Sequence, residues 1–127
     1  MSVNSSSVSP ESPVLVDFWT VDPARREELI RGISSGMQSI VVGRPGFVSA
    51  EIYRSVDGGA VLLSVSMRTV KERQQLTDSP EAHRALRELR AIANSHVRLF
   101  QLVESFEGGS PPDAGPTVLG GVGEQRS

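Results

Sequence analysis

The chain has 127 residues, 38% of them hydrophobic, which suffices for one domain with one modest core and is too little for two. A formal charge of -2, an isoelectric point near 5.7 and the lack of any basic cluster give no electrostatic footprint for nucleic acid or an anionic membrane surface. Cysteine is absent, which removes disulfides, thiolate metal sites, iron–sulfur clusters and thiol nucleophiles together, so any catalysis must use oxygen or nitrogen groups.

Residues 1–13 are rich in Ser and Pro and have neither a basic nor an apolar leader segment, and no apolar run approaches the roughly 20 residues that span a bilayer. A soluble cytoplasmic protein is expected. Residues 107–127 are too rich in Gly and Pro to bury apolar surface, so the foldable domain is expected at 14–106 between two disordered tails.

Within that span Val14 to Val21 reads as a first strand, with Val14, Val16, Phe18 and Thr20 on one face and Leu15, Asp17, Trp19 and Val21 on the other. Asp22-Pro23 is a cap followed by Pro at the first helical position. Leu29, Ile33, Met37 and Ile40 then recur at helical spacing, predicting a helix over about 23–42. Pro45-Gly46 ends that helix, and Asp57-Gly58-Gly59 is a turn signal between two strands, Phe47 to Ser55 and Ala60 to Arg68. Thr69 to Leu76 reads as a short helix. Ser79-Pro80 repeats the cap, and Ala82, Leu86, Leu89 and Ala93 draw a stripe on a helix reaching about Ser95, before a last strand over Val97 to Phe106.

The order βαββαβ is the ferredoxin-like α+β arrangement, a four-stranded antiparallel sheet with helices on one face. Strand residues of both parities are largely apolar or small, so the other face needs cover, and a homodimer with sheets packed face to face supplies it.

Tyr53, the only tyrosine, is read on a strand face with Phe47, Ser49 and Glu51, either packed in a dimer interface or serving as a hydrogen-bond donor in a pocket. Glu51 is a solvated or interface carboxylate, or, if buried beside Tyr53, a base. Trp19, the only tryptophan, is a core or interface residue or a stacking wall for a ring substrate, and Asp17 on its face is expected at an edge or in an ion pair. His96 is read on the apolar side of the last helix at its junction with the final strand, as a structural histidine or a proton-transfer group. His83 lies at the edge of the stripe among Arg84, Arg87 and Arg90, a largely solvated face. The two histidines lack a shared helical face and a third ligand, so no metal site is expected.

Taken together with the Pro45-Gly46-Phe47 ahead of a hairpin, Val14 to Phe106 resembles the antibiotic biosynthesis monooxygenase family, small oxygenases of polyketide pathways. The resemblance implies a dimeric α+β barrel with one pocket per subunit between sheet and helices. It also implies chemistry without flavin, metal or other cofactor, in which a deprotonated phenol or anthrone itself supplies electrons to O2. Quinone-forming members carry Asn-x-x-x-Trp on strand three, where this chain has Leu63 and Met67. A strand-two position that is often His corresponds to Tyr53, and a pocket-mouth Arg corresponds to Arg84 or Arg87, with Arg73 a weaker match. The expected site is therefore Tyr53 and His96 as catalytic groups, with Trp19, Leu63, Met67, Arg87 and Glu51 binding an aromatic or polyketide-derived small molecule.

Three functions fit these residues: a cofactor-independent monooxygenase, a non-oxidative cyclase or isomerase on the same scaffold, and a non-catalytic binding domain. The second is motivated by Leu63 and Met67, which cannot donate the hydrogen bonds of Asn and Trp.

Overall fold

The structure, a computed structural model, describes residues 13–109. Four strands, β1 (Val14–Val21), β2 (Phe47–Arg54), β3 (Ala60–Met67) and β4 (Ala93–Phe100), form one antiparallel sheet in the order β2-β3-β1-β4. Helices α1 (Arg26–Gly36), α2 (Val70–Thr77) and α3 (Pro80–Leu89) cover one face, giving the expected ferredoxin-like α+β architecture. The expected tails lie almost wholly outside the described residues. Among those described, no helix is long and apolar enough to cross a membrane.

Side-chain alternation divides the sheet into two unlike faces. Leu15, Asp17, Trp19 and Val21 of β1 and Val61, Leu63, Val65 and Met67 of β3 point toward the helices, and Trp19, Val61, Val65 and Met67 are almost completely buried. The facing stripe of α1 and its extension contributes Leu29, Ile33, Met37 and Val41, and α2 contributes Leu76.

The predicted caps form: the Asp22 carboxylate accepts from the Ala24 N–H (2.9 Å), and the Ser79 hydroxyl accepts from the Ala82 N–H (3.1 Å). A 3-10 turn (Pro23–Arg25) leads into α1, and a π-helical stretch (Met37–Val41) follows it.

Three boundaries depart from the sequence reading. A β-bulge between Phe47 and Ser49 sends Phe47 to the core side opposite Met67, so it does not share a face with Tyr53. Helix α3 stops at Leu89, well short of Ser95, because every residue of β1 takes a partner on β4. Val21 pairs with Ala93, which draws 93–96 into the ladder. His96 consequently lies on β4, opposite Phe18, and not at a helix end. At its far end β4 stops at Phe100 and not Phe106, since Phe100 already pairs with Val14, the first residue of β1.

The Pro45-Gly46-Phe47 signature has a local cause. Gly46 sits at φ +87°, its carbonyl accepts from the Arg68 N–H (2.7 Å), and the Glu72 side chain lies where a Cβ would stand. An alanine there must adopt the left-handed region and displace Glu72. Gly46→Ala is expected to destabilise the fold by about 1–3 kcal/mol, whereas Gly43→Ala, in open space, changes stability by less than about 0.5 kcal/mol. Urea unfolding midpoints measure both, and equal midpoints would refute this account of the signature.

Candidate functional site

Between the inner face of the sheet and the helices lies a cavity of about 250 Å³. It exists because the helices do not close on the sheet at this point. Gly32 and Gly36 put no side chains on the α1 wall, the π-helical stretch widens the end of that wall, and the stripe of α3 (Ala82, Leu86, Leu89) is only half-buried. The lining is overwhelmingly apolar. Its polar exceptions are Asp17, the Trp19 indole N–H, Thr77 at the end of α2 and His83 on α3.

Asp17 is the chemically unusual member. It lies on β1, an interior strand, between Leu63 on β3 and Val97 on β4, with Leu15 and Trp19 beside it on the same face. The expectation of an edge position or an ion pair is corrected: Asp17 is only 5% exposed and belongs to none of the ion pairs among the described residues. Burial pushes its carboxyl up from 3.8 to about 6, against the Arg90 guanidinium and the Trp19 indole, which both pull it down. Arg90 acts at a distance, its Nε donating to the Ser95 hydroxyl (3.0 Å). The indole lies close enough to favour the carboxylate without reaching hydrogen-bond geometry, so among the described residues Asp17 Oδ1 and Trp19 Nε1 are both buried without a partner. An acceptor and a donor, side by side and unsatisfied on an apolar wall, are groups that a ligand carrying one polar edge on an apolar body would satisfy.

The structure brings together only part of the expected site. Trp19 and Leu63 line the cavity. Met67 is fully buried on the same sheet face but is not part of the cavity wall. Arg87 and Arg84 are exposed on α3 and do not line it. Tyr53, 57% exposed, and Glu51, whose carboxylate accepts from the Ser64 hydroxyl (2.7 Å), lie on the outer face of the sheet, as does His96. Tyr53 and His96 thus stand across the sheet from Asp17. Among the described residues, no group of three or more His, Asp or Glu side chains could hold a metal ion.

The arrangement is that of a ferredoxin-like α+β protein with a pocket under its helices, and solved structures of this fold match it. The chain is similar to the cofactor-independent oxygenase SnoaB from Streptomyces nogalater, with TM-score 0.60 and 20% identity over 76% of this chain and 97% of that one. It is also similar to a candidate antibiotic biosynthesis monooxygenase from Nitrosomonas europaea (TM-score 0.62, 12% identity, 72% and 89% coverage). A third similar structure is Rv0793 from Mycobacterium tuberculosis (TM-score 0.59, 21% identity, 77% and 100% coverage). At such identities the likeness establishes the fold. No protein-family model matches the chain, and no curated protein matches it significantly.

The Asp17 carboxyl links the site to stability. With its folded pKa above the unfolded value, the folded protein binds more protons between pH 3.8 and about 6. The group is therefore neutral in its effect below that window, and destabilises increasingly as pH rises through it. A rise of about two pKa units corresponds to about 3 kcal/mol. Asp17→Asn should raise unfolding stability by up to that amount at a pH of about 7.5 and leave it nearly unchanged at about 3.5. Denaturant titrations at both values check this, and a variant less stable at the higher pH would contradict the assignment.

Proposed function

We propose that this protein is a cofactor-independent monooxygenase-type enzyme that binds an aromatic or polyketide-derived small molecule in the cavity under its helices, with Asp17 as the general base. The observation that carries the reading is the buried Asp17 carboxyl on an apolar wall, its Oδ1 and the neighbouring Trp19 indole N–H both without a hydrogen-bond partner among the described residues. A carboxyl titrating at about 6 is ionised at neutral pH and basic enough to take a proton from an acidic phenol or a ring methylene next to a carbonyl. The indole N–H is placed to donate to the resulting oxyanion, and the apolar walls keep water from competing.

The electron-rich anion then transfers electrons to O2. In an anthrone-type oxidation the ring methylene loses two hydrogens and gains one oxygen atom, the other oxygen leaving as water, so O2 is the only oxidant required. Asp17 accepts the first proton and returns it to the departing oxygen. The similarity in fold to a cofactor-independent oxygenase supports this chemistry.

Leu63 favours a second reading. It stands across from Asp17 on β3 and offers the ligand shape without a hydrogen bond, which suits proton removal followed by ring closure or isomerisation. Incubation of the protein with anthrone-type and enolisable polycyclic compounds, under air and under argon, separates the two. A product heavier by oxygen only in air supports the oxygenase, and an isomer formed in both supports the second reading. Either way, turnover by wild type should fall about tenfold per pH unit below 6, and Asp17→Asn should lose on the order of a hundredfold. Full activity in Asp17→Asn would remove the base from the mechanism.

The assembly we propose is a homodimer formed through the outer sheet face. Phe18 (41% exposed), Tyr53 and Phe100 (50%) stand there over half-buried Val16 and Leu62, an apolar surface that a second copy would cover. On this reading Tyr53, Glu51 and His96 are interface residues. Light scattering should give twice the 13.6 kDa chain mass at micromolar concentration, and Phe18→Lys should shift it toward one; a monomeric wild type would reject the dimer.

A further inference from the structure

Two glycines line the cavity from α1, one turn apart, and they serve different ends. A Cβ at Gly32 would stand 2.5 Å from Leu89 Cδ2, so this glycine lets α1 and α3 pack closely. Gly36 lies four residues on, on the same helical face, and a Cβ there would meet no atom within 4 Å beyond its chain neighbours and the helix's own backbone. Packing within the chain therefore does not call for a glycine at 36. Its backbone is helical (φ -63°, ψ -40°) with helical structure on both sides, the setting in which glycine is weaker than alanine. The chain keeps a helix-weakening residue where a side chain would fill only open space at the cavity wall.

Contacts on either side show what faces Gly36. Gly32 abuts Leu89 at the end of α3, and Arg44, beyond the end of α1, reaches Glu81 in the first turn of α3 (3.7 Å), so the two helices run antiparallel. Between these contacts α3 lines the cavity with Ala82 and Ala85, and α1 lines it with Gly36. Small residues on both helices leave a slot in the helical layer. The sheet wall of the same cavity carries Asp17, 5% exposed, and Trp19, whose Oδ1 and Nε1 have no partner among the described residues. A ligand that satisfies those two atoms has room to extend into the slot.

We propose that Gly36 is the specificity-determining residue of the cavity: the slot that it opens against Ala82 and Ala85 takes the outermost ring of a fused polycycle whose polar edge lies at Asp17 and Trp19. The proposal rests on the reading of the cavity given above and adds a size preference to it. A flat ring can lie against bare helical backbone where a side chain would hold it off, and the apolar surface buried there favours a longer ring system over a shorter one. Gly36 makes no polar contact with the ligand. It acts by the room it leaves.

Two probes that share a phenol and differ by one ring, a naphthol and the corresponding anthrol, test this under argon, with binding read from quenching of Trp19, the only tryptophan. The wild type should bind the anthrol about tenfold more tightly, the gain expected from burying one further ring. Gly36→Leu should bring the anthrol down to the affinity of the naphthol, and leave the naphthol within about twofold of its wild-type value. Gly36→Ala should weaken the anthrol alone, and should unfold at a higher urea concentration than the wild type because it restores helix propensity and displaces nothing. Equal binding of the two probes by the wild type overturns the size preference and leaves the cavity reading standing. Binding of neither overturns both. A preference for the anthrol that survives both substitutions, or the loss of both probes together in a folded variant, overturns the role of Gly36. A lower urea midpoint for Gly36→Ala would mean that the glycine serves the helix and overturns that role as well.

Discussion

A carboxylate on the core side of a sheet is the constraint around which this molecule is arranged. The alternation that buries Leu15, Trp19 and Val21 also buries Asp17, because all four share one face of an interior strand. An apolar residue there would complete the core and stabilise the fold. The aspartate does the opposite: loss of solvation raises its pKa, the distant Arg90 offsets this only in part, and no ion pair among the described residues includes it. Placing a destabilising ionisable group against a cavity is how a small domain holds a base of near-neutral pKa in a dry place.

The helical layer is fitted to that placement. Glycines at 32 and 36, a π-helical turn at the end of α1 and a half-buried α3 are each, taken singly, minor departures from close packing. Together they keep the helices from collapsing onto Asp17. On the sheet's other face the aromatic residues Phe18, Tyr53 and Phe100 stand exposed. On the proposed reading one sheet serves two purposes, its inner face lining the site and its outer face meeting a second copy.

Much of this fold was legible because its signals are local. Asp22-Pro23 and Ser79-Pro80 cap helices, Gly46 takes a positive φ ahead of β2, and Asp57 Oδ1 accepts from the Gly59 N–H (3.1 Å) within the hairpin turn. What failed depended on partners elsewhere in the chain. Ala93 extends the stripe of Ala82, Leu86 and Leu89 in sequence, and its pairing with Val21 ends the helix before it. The bulge after Phe47 reverses which residues accompany Tyr53, and nothing in 47–49 announces it. The face containing Asp17 was read correctly. Its strand's interior position, which turns a surface carboxylate into a buried one, follows only from the strand order. The sequence reading places the catalytic groups at Tyr53 and His96 and takes Asp17 for an edge or ion-paired residue; the signal it passes over is a polar exception on an apolar strand face.

The account therefore stands on the ionisation of one side chain. Carboxyl carbon chemical shifts of the aspartates, followed by NMR in protein labelled with carbon-13 and assigned by comparison with Asp17→Asn, report that ionisation directly. A midpoint near pH 6 for Asp17 is the predicted result. A midpoint at about 4, the ordinary aspartate value, would mean that the carboxyl is solvated or paired and would contradict its role as the base.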